Sequence, residues 1–133
     1  MAQAPPILAF KVPFPPSVNS LYTGKERRRK SDAYEKWCRE AWSFIAAARA
    51  DLPGFQTIIE PVGAWYRHGE FSDKRVRDAE NYAKAISDLL AEEKIIKDDS
   101  LIRCSINEWV DDVEQGYTEV VIIPLNRLRV SIL

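Results

Sequence analysis

The feature that most narrows the fold is the order in which two helix-like and four strand-like stretches follow one another. In residues 32–50, Ala33, Trp37, Ala41, Phe44 and Ala48 recur at steps of three and four, which places them on one helical face. In residues 79–93, Tyr82, Ile86, Leu89 and Leu90 do the same, while Asn81, Lys84 and Asp88 fall on another face. Ser31 or Asp32 can cap the first segment and Asp78 the second, by accepting from backbone N–H groups left free in a first helical turn. Pro53-Gly54 ends the first segment. Residues 7–12, 56–66, 101–110 and 117–124 read as strands. Pro13-Phe14-Pro15-Pro16 closes the first and Pro124 the last, because proline has no N–H to give a sheet. Pro61, inside the second, predicts an edge strand or a bulge. The last two strands look like an antiparallel pair joined by the polar connector Asp111 to Gly116. This order predicts an α/β (α+β) fold, with one mixed sheet of about four strands covered by two helices.

The 133 residues suit one domain with one core, flanked by terminal segments 1–6 and 125–133. With 46% hydrophobic and 29% charged residues the composition is that of an ordinary globular protein. Cys38 and Cys104 match no zinc spacing and are expected to be buried thiols. No apolar run reaches the length of a membrane span, and Met1 to Phe10 lacks the basic start of a secretory signal, so a cytoplasmic protein without a membrane partner is expected. A net charge of −1 argues mildly against nucleic acid, but the distribution says more than the sum. Lys25, Arg27, Arg28, Arg29 and Lys30 crowd the polar loop 17–31, and Lys74, Arg75 and Arg77 form a second basic group.

Chemistry concentrates in Arg77-Asp78-Ala79-Glu80-Asn81-Tyr82-Ala83-Lys84 and in Asp98-Asp99. Asp78 and Glu80 flank the start of a helix; Asp98 and Asp99 lie beyond its end. Fold-back of the chain is needed to bring the two stretches together, and a strand pairing beside the one before the helix offers it. Carboxylates gathered there repel one another unless a cation sits between them. Mg²⁺ prefers oxygen ligands, keeps several waters, and is usually held by one or two carboxylates plus phosphate. A lysine one turn into the helix can oppose charge building on a phosphoryl group, and Asn81 and Asp98 can support the ligands. Each residue also has a purely structural role open to it. Asp78 suits an N-cap and Glu80 the helix dipole; Lys84 and Asp88 suit a solvated pair, and Asp98-Asp99 a turn.

These residues resemble the RusA family of Holliday-junction resolvases, whose pattern is Arg-Asp-x-Asp-Asn-x-x-Lys followed by Asp-Asp. Asp98-Asp99 falls at the family's spacing without a gap. Pro13-Phe14-Pro15-Pro16-Ser17-Val18-Asn19 is similar to the family's Pro-aromatic-Pro-Pro-Ser-x-Asn opening. The likeness covers about residues 7–124. It implies a homodimeric endonuclease that cuts branched, four-way DNA with Mg²⁺ (Mn²⁺ as the alternative), with Asp78, Glu80 and Asp99 as metal ligands and Lys84 at the scissile phosphate. The chain departs from the family at Glu80, where aspartate is usual. One extra methylene moves a carboxylate by about 1 Å, and Mg²⁺ demands near-ideal octahedral geometry. Reduced cleavage, a preference for Mn²⁺ and rotamer compensation are the outcomes open, as is a protein that binds junctions and cuts them weakly or not at all. A protein-interaction module, with its acids serving only as caps and turns, is the remaining alternative.

Arg27, Arg28, Arg29, Lys30, Lys74, Arg75 and Arg77 are the expected DNA contacts. Phe14 is expected to plug a strand end, Tyr22 is a candidate wedge between bases, and His68 is expected on the surface. Trp37, Trp42, Trp65 and Trp109 are expected in the core or a dimer contact.

Overall fold

The computed structural model describes residues 8–73 and 75–125. Lys74, the start of the first expected strand, the segment 1–6 and the tail from residue 126 lie outside the described residues. In chain order the elements are β1 (Leu8–Pro13), β2 (Tyr22–Thr23), β3 (Arg29–Lys30), α1 (Asp32–Ala50), β4 (Val62–Gly69), α2 (Lys84–Glu92), β5 (Ile102–Val110) and β6 (Tyr117–Pro124). Short 3-10 turns occupy Val18–Ser20, Ala79–Tyr82 and Asp99–Leu101.

The mixed sheet and its two helices are as the sequence predicts, but the pairing differs. Strand order is β1-β6-β4-β5. β6 pairs antiparallel with both β1 and β4, and β5 pairs only with β4, in parallel. The expected antiparallel pair of β5 and β6 therefore does not form, because β4 lies between them. Their connector crosses the end of β4, and Gly69 lets it pass. A Cβ on Gly69 would sit 2.1 Å from the Glu114 carbonyl oxygen, closer than any side chain tolerates. β4, α2 and β5 thus make a parallel crossover, in which the helix returns the chain to the end of the sheet where β4 began.

Three further expectations need correction. Residues 56–61 do not extend β4; they make one bridge, Ile58 to Ile96, and leave Ile59 exposed. Pro61 cannot donate to a ladder, and β4 starts immediately after it. Of the two outcomes expected from Pro61, an edge strand or a bulge, the irregularity is the one found: the strand is internal, and its register with β5 slips between Val62 and Gly63. The second helical stretch is a 3-10 turn followed by a shorter α-helix rather than one helix over 79–93. The loop 17–31 contains the β2–β3 hairpin, whose turn needs Gly24 at φ +98°, where a Cβ would lie 2.2 Å from the Arg27 carbonyl oxygen.

One core joins all layers. Leu8, Phe10 and Val12 of β1, Ala64 and Tyr66 of β4, and Val120 and Ile122 of β6 pack with both helices. From α1 the buried face is Tyr34, Trp37, Ala41 and Ile45, with Phe44 and Ala48 at its border and Ala33 exposed. From α2 it is Ala85, Ile86, Leu89 and Leu90. Ser31 is the N-cap of α1: its hydroxyl accepts from the Tyr34 N–H at 3.1 Å and donates to the Ser20 carbonyl at 2.7 Å. The Trp37 indole N–H reaches the Pro13 carbonyl at 2.7 Å and ties α1 to the end of β1. Trp42, by contrast, is 54% exposed. Cys38 and Cys104 are free thiols and only partly buried. No helix among the described residues is long and apolar enough to cross a membrane.

Candidate active site

The crossover fixes where the acidic stretches stand. Asp78 caps the 3-10 turn Ala79–Tyr82, and its carboxylate accepts from the Glu80 N–H at 3.2 Å. The Trp109 indole N–H donates to the Arg77 carbonyl at 3.2 Å, so the backbone just before Asp78 is pinned near the carboxyl end of β5. Asp98 caps the 3-10 turn that leads into the amino end of β5, accepting from the Ser100 N–H at 2.8 Å. The two stretches flank opposite ends of β5, with α2 between them.

Lys84 opens α2 and Asp88 follows one turn on, 3.3 Å from its ammonium. Asp99 faces this helix. A hydrogen bond with Asp98 raises the Asp99 carboxyl above its ordinary range; partial burial and the charges of Asp98 and Asp88 add to the rise, and Lys84 opposes it. Asp98 moves the other way, held low first by the Ser100 backbone N–H. Asp88, Asp98 and Asp99 line a groove of about 460 Å³ together with Tyr22, Lys94 and Lys97. Asp78, Glu80, Asn81, Lys84, Asp98 and Asp99 are all exposed. Asp78, Asp98 and the Lys84–Asp88 pair therefore do fill structural roles of cap, cap and ion pair. The cap role leaves one Asp78 carboxylate oxygen free, whereas Asp98 also bonds Asp99.

Among the described residues, no three acidic, histidine or cysteine side chains stand close enough to hold a metal ion together. The donor chemistry nevertheless suits a hard divalent cation. Every predicted ligand offers oxygen, and the crowding that lifts Asp99 is the crowding a cation relieves. Such a cation needs only one or two carboxylates when phosphate and water complete its shell.

The basic residues divide into free and engaged ones. Arg27, Arg28 and Arg29 are exposed on the β2–β3 hairpin. Lys30 instead bonds Glu92 of α2 at 2.8 Å, which fastens the hairpin against the groove. Arg77 forks onto Asp73 at 2.8 and 2.9 Å and lies over the Phe71 ring at 4.1 Å. Asp73 is held below the usual carboxylate range, chiefly by that hydrogen bond. Arg75 is exposed, with its backbone N–H on Asp73.

Behind the 3-10 turn Ala79–Tyr82 lies an aromatic cluster that the sequence did not reveal. Phe14 meets His68, Phe71, Tyr82 and Trp109 with ring centroids 4.7–5.7 Å apart. Its expected role as a strand-end plug fits this packing. His68 is fully buried, not on the surface, and its Nδ1 lies 2.7 Å from the Thr118 hydroxyl. The expected strand ends at residue 66, two residues short of His68; β4 in fact runs to Gly69 and turns the imidazole inward. Tyr22 was singled out as a wedge, but its position on the acidic groove was not foreseeable from so short a strand.

Exposed acids and a lysine beside an arginine-bearing hairpin suit an enzyme that works on the phosphate backbone of nucleic acid. The family comparison is sharper. Residues 13–123 match the family model described as Endodeoxyribonuclease RusA, most of the chain, so the protein belongs to the RusA family. That membership makes it an endodeoxyribonuclease and implies action at Holliday junctions. No curated protein matches the chain closely enough to count as a relative.

Proposed function

We propose that this protein resolves four-way DNA junctions as a Mg²⁺-dependent homodimer, each copy cutting one strand, in the cytoplasm. What carries the reading is the family pattern laid around one helix: Asp78, Glu80 and Lys84 at its entrance and Asp99 against its side. In this reading Asp78, Glu80 and Asp99 would hold the cation, which would draw the scissile phosphate to the site. When bound, Mg²⁺, or Mn²⁺ in its place, supplies positive charge to the phosphate and makes a nearby water more acidic. Lys84 donates to a non-bridging oxygen as charge builds there, and Asp88 keeps its ammonium from swinging away. Asn81 and Asp98 support the backbone at the two entrances. Arg27, Arg28 and Arg29 on the hairpin hold the DNA backbone, aided by Arg75 and Arg77; Lys74 is a further candidate contact from the sequence alone. In-line attack by water on phosphorus forms the new P–O bond and breaks the P–O3′ bond, the leaving oxygen taking up a proton, so that 5′-phosphate and 3′-hydroxyl ends remain.

A second reading, a junction-binding protein with weak cleavage, has two observations behind it: Glu80 in place of aspartate, and no three-acid group among the described residues. One experiment separates the two. Wild type, Glu80→Asp and Asp78→Asn are compared on a synthetic four-way junction in Mg²⁺ and in Mn²⁺. The nuclease reading expects cutting by wild type, equal or faster cutting by Glu80→Asp, and none by Asp78→Asn. Tight binding without nicks in either metal supports the second reading, and undiminished cutting by Asp78→Asn removes the site assignment.

A further inference from the structure

The β2–β3 hairpin does more in this fold than carry arginines. Its first residue, Tyr22, is 37% exposed and lines the same groove as Asp88, Asp98 and Asp99. Two contacts set its place. The buried Tyr34 ring meets it at right angles, 5.9 Å between centroids, and the Arg28 guanidinium lies over it at 5.9 Å. Its cross-strand partner is Lys30, which bonds Glu92 and so fastens the hairpin to α2. An exposed tyrosine on a flexible loop signifies little. This one is braced at a fixed position beside the carboxylate proposed to meet the scissile phosphate.

The chemistry of the groove indicates what meets that ring. A phosphate held near Asp99 through a cation brings its own nucleotide within reach of Tyr22. In continuous duplex the base faces are hidden in the stack. At a branch point the bases flanking the crossover are partly unstacked, and a fixed aromatic can take one of them at lower cost. Arginine beside the ring adds phosphate attraction at the same place. Lys94 and Lys97 on the groove wall offset part of the acidic charge. We infer that Tyr22 is a specificity-determining residue, packing on an unstacked base at the branch point so that the acidic groove is loaded by junctions in preference to linear duplex. This rests on the nuclease reading for the role of Asp99, although contact with a base can be measured without cleavage.

The test uses a four-way junction carrying 2-aminopurine beside the branch point, and a linear duplex of the same sequence, both in Ca²⁺, an oxygen-seeking divalent cation, in place of Mg²⁺ or Mn²⁺. Wild type, Tyr22→Phe, Tyr22→Ala and Tyr22→Leu are compared; leucine keeps an apolar contact with Tyr34 should alanine loosen the hairpin. Loss of one base–aromatic contact weakens binding by about tenfold or more. Tyr22→Ala and Tyr22→Leu are therefore expected to lose about tenfold in junction affinity, with duplex affinity changed less than about twofold. They should also lose the fluorescence change that wild type and Tyr22→Phe produce. Equal junction-to-duplex ratios and equal fluorescence changes across all four proteins would overturn the inference. A wild type that perturbs 2-aminopurine but never cuts in Mg²⁺ or Mn²⁺ would instead count against the nuclease reading and leave the Tyr22 contact standing.

Discussion

At the carboxyl end of β5, Trp109 packs ring against ring with Phe14, His68, Phe71 and Tyr82; at its amino end, Asp98 and Asp99 stand in solvent opposite Asp88 and Lys84. Both ends contain perturbed ionisable groups, for different reasons. Burial alone pushes the His68 imidazole down to about 4, with no charge beside it. Asp99 is pushed up mainly by a carboxylate neighbour, in an exposed place where desolvation matters less. A group shifted by burial reports on packing. A group shifted by like charges in solvent reports on a charge balance that the protein itself leaves incomplete, and there a ligand is expected.

The largest effect that separates the two ends is on stability. His68 titrates near 6.5 when unfolded and near 4 when folded, so its neutral form favours folding fully above pH 6.5. That contribution, about 3 kcal/mol, drains away as pH falls from 6.5 through 4. Urea unfolding of wild type and His68→Gln at pH 7.5 and 4.5 measures it: the variant should lack that part of the pH slope. Equal slopes would mean that the imidazole is not sealed. Next, Lys84→Ala at the acidic end should cost about 100-fold in kcat on junction DNA, with unfolding free energy changed by less than about 0.5 kcal/mol. A comparable loss of stability would place Lys84 among the structural residues.

Trp109→Phe bridges the two ends. It keeps the ring packing and removes the N–H that holds the Arg77 carbonyl, a loss of about 1 kcal/mol in unfolding free energy. If the tether positions Asp78, half-maximal cleavage will need more metal while junction affinity stays unchanged; an unaltered metal requirement restricts Trp109 to packing. The smallest effect belongs to the partly exposed Lys30–Glu92 pair. A double-mutant cycle should give a coupling of no more than about 1 kcal/mol, falling with added salt.

The chain order of the main sheet's strands and the two helices, and the family, are legible in the sequence because these rest on local signals. Apolar spacing marked α1 and α2, prolines marked strand ends, and the acidic motif is contiguous apart from Asp98-Asp99. What is not legible there depends on long-range pairing. Nothing near Val110 or Tyr117 states that β4 will lie between them; Gly69 records the close passage of the connector, but a single glycine at a strand end admits many explanations. His68 is expected on the surface because the strand read from the sequence ends at residue 66; the three further residues that carry β4 to Gly69 follow from pairing with β5 and β6 and bury the imidazole. The two-residue strands Tyr22–Thr23 and Arg29–Lys30 are too short for alternation to show. The motif also gave the acids without their arrangement, since the crossover sets Asp78 and Asp99 at opposite ends of β5.

That separation makes shared metal binding the point on which the account turns. Mn²⁺ can be followed by electron paramagnetic resonance in the presence of a four-way junction with phosphorothioate linkages at its crossover, for wild type, Asp78→Asn and Asp99→Asn. One cation held jointly by both stretches predicts that each substitution alone weakens the same bound-Mn²⁺ signal by tenfold or more in affinity, without altering the thermal unfolding midpoint. A signal that survives unchanged in either variant would show that the two acidic stretches do not share an ion, and would contradict the proposed site.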